Sequence, residues 1–137
     1  MSIEENKNIV RRYQEIYNSN QLDDLVEVVS ENLLTPKIMA GIPHGMEGAK
    51  AAHQIMLTGF PDYQTVIDDI FSEGDQVAAR ITMSGTNTGS FMGIPPTGKF
   101  ISFTGMYIVR IANGKIVEHW GEEDGVSLLM QLGAISL

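Results

Sequence analysis

Near residue 60 the spacing of apolar residues changes from helical to extended, which confines the chain to folds that build helices first and a sheet afterwards. Upstream, Ile9, Tyr13, Ile16 and Tyr17 recur at helical intervals over residues 4–18, with Arg11, Arg12, Gln14 and Glu15 facing away. Leu22, Leu25, Val26 and Val29 follow at i, i+3, i+4, i+7 spacing and predict a second short helix, with Asn20 as its cap and Asp23 in its first turn. A third helix is predicted over residues 46–58, stopped by Gly59 and Pro61. From Tyr63 the period is two: Val77, Ala79, Ile81 and Met83 alternate with Ala78, Arg80, Thr82 and Ser84. Glu73-Gly74-Asp75 marks a tight turn between strands. Residues 100–111 and 115–120 read as strands joined by Asn113-Gly114, a pair suited to the positive φ angles of a type I′ hairpin turn. Residues 125–132 read as a last short helix, with Asp124 as N-cap and Gly133 just past its end. Helices followed by an antiparallel meander is the α+β pattern. A strongly curved sheet packed on such helices leaves a cavity between the layers.

A length of 137 residues suits one domain, 1–137, and no repeat or low-complexity linker divides it. A hydrophobic share of 43% supplies a core without disulfide or metal staples. The 17 Asp and Glu against 9 Lys and Arg give a net charge of −8, a poor counter-ion for phosphate backbones, so no nucleic-acid partner is expected. With no cysteine, thiol nucleophiles, Cys-ligated zinc and iron–sulfur clusters are excluded together. The longest apolar run, Met106 to Val109, is far too short for a membrane helix. The acidic start Met1-Ser2-Ile3-Glu4-Glu5 is unlike a signal peptide, so a cytoplasmic location without membrane association is expected.

Gly93-Ile94-Pro95-Pro96-Thr97-Gly98-Lys99 imitates a phosphate-binding loop. Pro95 and Pro96 supply no N–H for a phosphate, Phe100 stands where a magnesium-binding hydroxyl is needed, and a strand follows rather than a helix. The segment is read as a rigid turn between strands. No H-x-H or H-E-x-x-H spacing points to a metal, and no G-x-S-x-G elbow points to a hydrolase.

Three stretches together resemble the SnoaL-like polyketide cyclases of the nuclear transport factor 2-like superfamily. They are Phe60-Pro61-Asp62-Tyr63 leading to 73–80, then 89–99, then Gly114-Lys115-Ile116-Val117-Glu118-His119-Trp120 through Asp124 to Gln131-Leu132-Gly133. The resemblance covers nearly the whole chain. It implies a cone-shaped α+β barrel, in which N-terminal helices pack on a curved, mostly antiparallel sheet around an apolar pocket. It also implies a homodimer or higher homo-oligomer built through the outer sheet face. Cyclases of this kind close rings by intramolecular aldol chemistry and need neither metal nor cofactor, because the substrate's own carbonyls acidify the proton to be removed. The pocket then supplies an acid/base group, donors for the enolate oxygen and a surface that folds the substrate.

His119 matches the histidine that precedes the family's catalytic aspartate. By strand period it shares a face with Val117 and Gly121, opposite Glu118 and Trp120. It is the expected acid/base, or else a strand histidine bonded to a neighbour for structure. The aspartate position two residues on is Gly121, which has no side chain, and Glu122, Glu123 and Asp124 follow it. Asp124 is a candidate acid and equally a helix cap. Tyr107 is a candidate hydrogen-bond donor to a carbonyl or enolate, or else a core tyrosine. Asn87, Phe103, Met39, Met92 and Trp120 are the expected substrate contacts; Asn87 stands where many relatives carry histidine. His53 reads as a packed or surface residue on the third helix, and His44 sits in a loop bordering the expected pocket mouth. The expectation is a cofactor-independent cyclase acting on a hydrophobic, carbonyl-rich small molecule. The alternatives are a non-catalytic binding module of the same fold, or a related isomerase, hydroxylase or epoxide hydrolase.

Overall fold

The computed structural model describes residues 2–35 and 41–136. Its elements run α1 (Ile3–Ser19), a 3-10 turn (Leu22–Glu27), β1 (Val29–Leu34), α2 (Gly45–Gly59), β2 (Gln64–Glu73), β3 (Gln76–Thr86), β4 (Phe100–Ala112), β5 (Lys115–Glu123) and α3 (Gly125–Gln131). The five strands form one mixed sheet in the order β1-β5-β4-β3-β2. Only β1 and β5 pair in parallel. The sheet is an open one with β1 and β2 at its edges, so the expected α+β architecture holds without closure into a barrel. α1 packs against β2 and β3, α2 against β1, and α3 against β4.

The predicted first and third helices form within a residue of their expected bounds. α1 begins on a capping box: the Glu5 amide donates to Ser2 Oγ at 3.1 Å, and the Ser2 amide donates back to the Glu5 carboxylate at 3.3 Å. Its buried stripe is Val10, Tyr13 and Ile16. The predicted second helix is a correction. Leu22 and Leu25 fit a single 3-10 turn, after which the β-branched Val28 and Val29 favour extended chain and open β1. The Ile116 amide donates to the Val28 carbonyl at 2.7 Å, which ties this edge to β5. Asn20 does not cap that turn. It ends α1 in the left-handed conformation at φ 60°, and Gln21 precedes the turn without a side-chain bond.

The hairpin signals hold. Asn113 and Gly114 take φ 51° and 76°, the positive pair that joins β4 to β5. Asp124 caps α3 by accepting the Ser127 amide at 3.0 Å, and Gly133 follows with φ 74°. Residues 87–99 form a turn rather than a helix start, closed by a bridge between Phe91 and Ile94. Along β4, Ile101, Phe103, Gly105, Tyr107 and Val109 face inward. On β5 a register shift next to Arg110 and Ile111 pairs Ile111 with Ile116 and Arg110 with Glu118, so Val117 is the extra residue of a bulge. Ile116, fully buried, therefore takes the inward place expected for Val117, while His119, Gly121 and Glu123 keep theirs opposite Val109, Tyr107 and Gly105.

Candidate active site

The inward face of β3, β4 and β5 and the apolar sides of α1 and α2 enclose a cavity of about 480 Å³. That size suits a drug-sized molecule. Tyr13, Tyr17, Tyr63, Tyr107, His53 and His119 line it with aromatic rings, alongside Ile81, Met83 and Met56. Tyr107 stacks on His119 with ring centres 4.9 Å apart and planes at 27°. Tyr13 meets Tyr17 edge-on at 4.9 Å, and Tyr17 lies 4.9 Å from His53. Such pairs add to burial by holding each ring in one orientation.

His119 is hydrogen-bonded at one end of its ring: Nδ1 lies 3.0 Å from the Tyr13 hydroxyl. The Nε2 edge lies over Gly121, where an added Cβ would stand only 3.2 Å from it. The ring keeps part of its surface open to the cavity, yet burial pulls its pKa down to about 4, so the imidazole is neutral at physiological pH. The Tyr107 hydroxyl donates to Gln14 Oε1 at 3.2 Å, and burial raises its pKa. Burial also pushes the Tyr17 hydroxyl up to about 12 and raises Tyr13. The tyrosines therefore act as hydrogen-bonding groups, not as anions. His53 Nε2 lies 2.9 Å from Asn20 Oδ1; burial lowers its pKa, opposed by a hydrogen bond with the Tyr17 backbone.

Of the described residues expected from sequence, His119 and Tyr107 meet in this cavity, and Asn87, Phe103, Met92, Trp120 and Asp124 are not among its lining residues. Asn87 is buried and stitches the turn that follows β3: its amide donates to the Gly59 and Gly89 carbonyls, and Oδ1 accepts from the Thr97 amide and hydroxyl at 2.8 Å. Phe103 packs into the core. Met92 is exposed at the tip of the turn, with φ 49°. Trp120 is half exposed on the outer sheet face, donating to Glu118 at 3.2 Å. Met39 lies outside the described residues. Asp124 sits beyond β5 as the cap of α3, and the carboxylate residues that border the cavity are Glu122 and Glu123. Among the described residues no group of three or more His, Asp or Glu side chains is placed to hold a metal ion.

Tyr13 and Tyr17 are cavity residues that sequence reasoning did not single out, whereas it reads His53 as packed or surface and names Glu123 as one of three carboxylates that follow Gly121. Tyr13 and Tyr17 are visible as apolar-face positions of the first helix, and a buried tyrosine hydroxyl always requires a partner. Glu123 was legible by the period of two that links it to His119 and Gly121.

The profile of the SnoaL-like polyketide cyclase family matches residues 7–132. The chain is 30% identical over 128 residues to the aklanonic acid methyl ester cyclase DauD of Streptomyces sp. strain C5, covering 91% of this chain and 80% of that protein. It is 29% identical over 122 residues to the nogalonic acid methyl ester cyclase of Streptomyces nogalater, covering 85% and 89%. TsrD from Streptomyces laurentii superposes with a TM-score of 0.89 at 28% identity, over 98% of this chain and 99% of that one. IdmH from Streptomyces antibioticus does so at 0.83 and 33% identity, over 93% and 98%. With a family profile matched over residues 7–132 and relatives 30% identical along most of its length, this chain belongs to the SnoaL-like polyketide cyclase family.

Proposed function

We propose that the protein closes a ring in a hydrophobic, carbonyl-rich polyketide ester without a cofactor. The observation that carries this reading is the placement of His119, whose ring lies over Gly121 and lines a cavity walled by tyrosines. A neutral imidazole whose Nδ1 accepts from the Tyr13 hydroxyl carries its proton on Nε2. A donor there stabilises the oxyanion of an enolate at the moment it forms. The aromatic rings hold a flat, greasy substrate so that its reacting carbons meet.

The test incubates the protein, dialysed against EDTA and without added cofactor, with the methyl esters of aklanonic and nogalonic acids. A product of unchanged mass and shifted retention is expected by liquid chromatography and mass spectrometry. Recovery of both esters unchanged and unbound contradicts the reading. A second reading, a binding module, is favoured by one observation: the position two residues after His119 carries no side chain. Tight binding of the ester without turnover decides for that second reading.

The protein is further proposed to act as a homodimer through the outer sheet face. Phe71, Ala78, Ile108 and Trp120 are paired neighbours across β2, β3, β4 and β5, and Phe71, Ile108 and Trp120 are exposed. A contiguous apolar row of this kind is costly to leave in water. Light scattering is expected to give about twice the 15.0 kDa chain mass, and Ile108→Lys to give the single-chain mass. A monomeric wild type contradicts the dimer.

A further inference from the structure

Resting on the cyclase reading above, we propose that Glu123 is the catalytic carboxylate of this site and removes the proton from a substrate carbon held in the cavity beside His119. Three observations converge on it. On β5 the inward positions run His119, Gly121, Glu123, paired with Val109, Tyr107 and Gly105 of β4. Inward residues stand about 7 Å apart along a strand. With no side chain at Gly121 the His119 ring leans over that position, 3.2 Å from where a Cβ would stand, and no side chain on this face separates His119 from Glu123. Gly105 is the second glycine that the arrangement requires. A Cβ there would come within 3.3 Å of Glu123 Cγ and 3.0 Å of Met83 Cε, so the absence of one lets the Glu123 stem lie inward across β4. Glu123, exposed at the strand end, borders the cavity. Its charge reaches the lining: burial raises the Tyr63 hydroxyl, a hydrogen bond with Thr65 opposes the rise, and the Glu123 carboxylate adds a smaller raising effect. Glu122 pairs with Met106 on the outward parity, and it is the Glu122 carbonyl oxygen that approaches Gly105.

Charge bookkeeping separates the two candidate bases. If neutral His119 took the proton, a buried imidazolium would appear beside a new enolate, which its low pKa opposes. A carboxylate passes its negative charge to the substrate instead, and His119 Nε2–H receives the enolate oxygen. In the step, the C–H bond between two carbonyls breaks, its proton joins Glu123, and its electron pair enters the enolate. The enolate carbon then bonds to a ketone carbon of the same molecule, and the ketone's π pair becomes an alkoxide. Glu123 returns the proton to that alkoxide. The product is an isomer of the substrate, and no oxidant, reductant or second reactant is consumed.

The experiment follows deuterium entry from D2O at the acidic C–H of aklanonic acid methyl ester, with affinity measured in parallel by calorimetry. Glu123→Gln is expected to slow exchange about 100-fold or more, with Kd within about three-fold of wild type. Glu123→Asp, which keeps the acid on a shorter stem, is expected to recover at least about ten-fold of that loss, which a fold defect would not allow. Glu118→Gln, which removes a carboxylate from the opposite face of the same strand, is expected to exchange at the wild-type rate. Undiminished exchange in Glu123→Gln overturns the assignment of Glu123 and leaves the cyclase reading standing. A wild-type protein that binds the ester and exchanges no proton overturns both.

Discussion

The Tyr13 hydroxyl lies 3.0 Å from His119 Nδ1, a contact that joins the first helix to the fifth strand across 106 residues of chain. Tyr13 is buried and its hydroxyl also hydrogen-bonds Tyr17, so it links the imidazole to the aromatic wall of the cavity. Tyr13→Phe removes the hydroxyl and leaves Nδ1 unsatisfied, which is expected to cost about 1–3 kcal/mol in urea unfolding. It also frees the imidazole to turn, so kcat is expected to fall further than affinity. An unchanged stability would show that the contact carries nothing.

The His119 ring has a specific pH consequence. An unfolded histidine takes its proton near pH 6.5, whereas folded His119 does so near 4. Between those values the unfolded chain binds more protons, so stability falls as the pH falls. The contribution is complete above about pH 7 and is lost towards pH 4, with about 2 kcal/mol gone by pH 5. His53, also held below its ordinary pKa mainly by burial, acts in the same direction. Unfolding midpoints between pH 7 and 5 are expected to drop in the wild type and to drop less in His119→Gln. Parallel slopes would contradict the buried neutral imidazole.

Gly121→Ala tests the close approach of the His119 ring to β5. The new Cβ would stand 3.2 Å from Nε2 and 3.8 Å from Tyr107 Cβ, a contact the neighbours relieve by small shifts. The expected stability cost is about 1 kcal/mol. Turnover is expected to fall by about ten-fold or more, because the methyl pushes the imidazole out of place and a small misplacement is costly. Full turnover would show that the exact seat of the ring does not matter to the reaction.

Asp124→Ala addresses the residue that sequence left open between acid and cap. Loss of its bond to the Ser127 amide is expected to cost about 1 kcal/mol, read as a lower melting temperature. Activity is expected to change far less than it does in Glu123→Gln. A large loss of activity with unchanged melting would restore Asp124 to the mechanism.

The legible parts of this fold are those whose signal is local. The alternation through Val77–Met83 and the Asn113-Gly114 turn depend only on neighbouring residues, and they formed as expected. β1 was hidden because Val29 completes the i, i+3, i+4, i+7 pattern that starts at Leu22, and because its pairing with the distant β5 is parallel, at an edge and shifted in register. The bulge at Val117 left no mark in a run of β-formers, and it moved Ile116 to the inward face. His119 and Tyr107 were singled out through likeness to a family, and both line the cavity. Asn87, a plausible ligand contact by its chemistry, serves the backbone of the turn instead, which only the distant carbonyl of Gly59 reveals. The Tyr13–His119 contact is a long-range fact, legible only once helix and strand are brought together.

The most direct measurement is the steady-state rate of ring closure of aklanonic acid methyl ester by the wild type and by His119→Gln, at saturating substrate and with folding checked by circular dichroism. The account predicts turnover in the wild type and a kcat about 100-fold or more lower in the variant, since Nε2 acts on charge that develops only in the transition state. Equal kcat in the two proteins would contradict it.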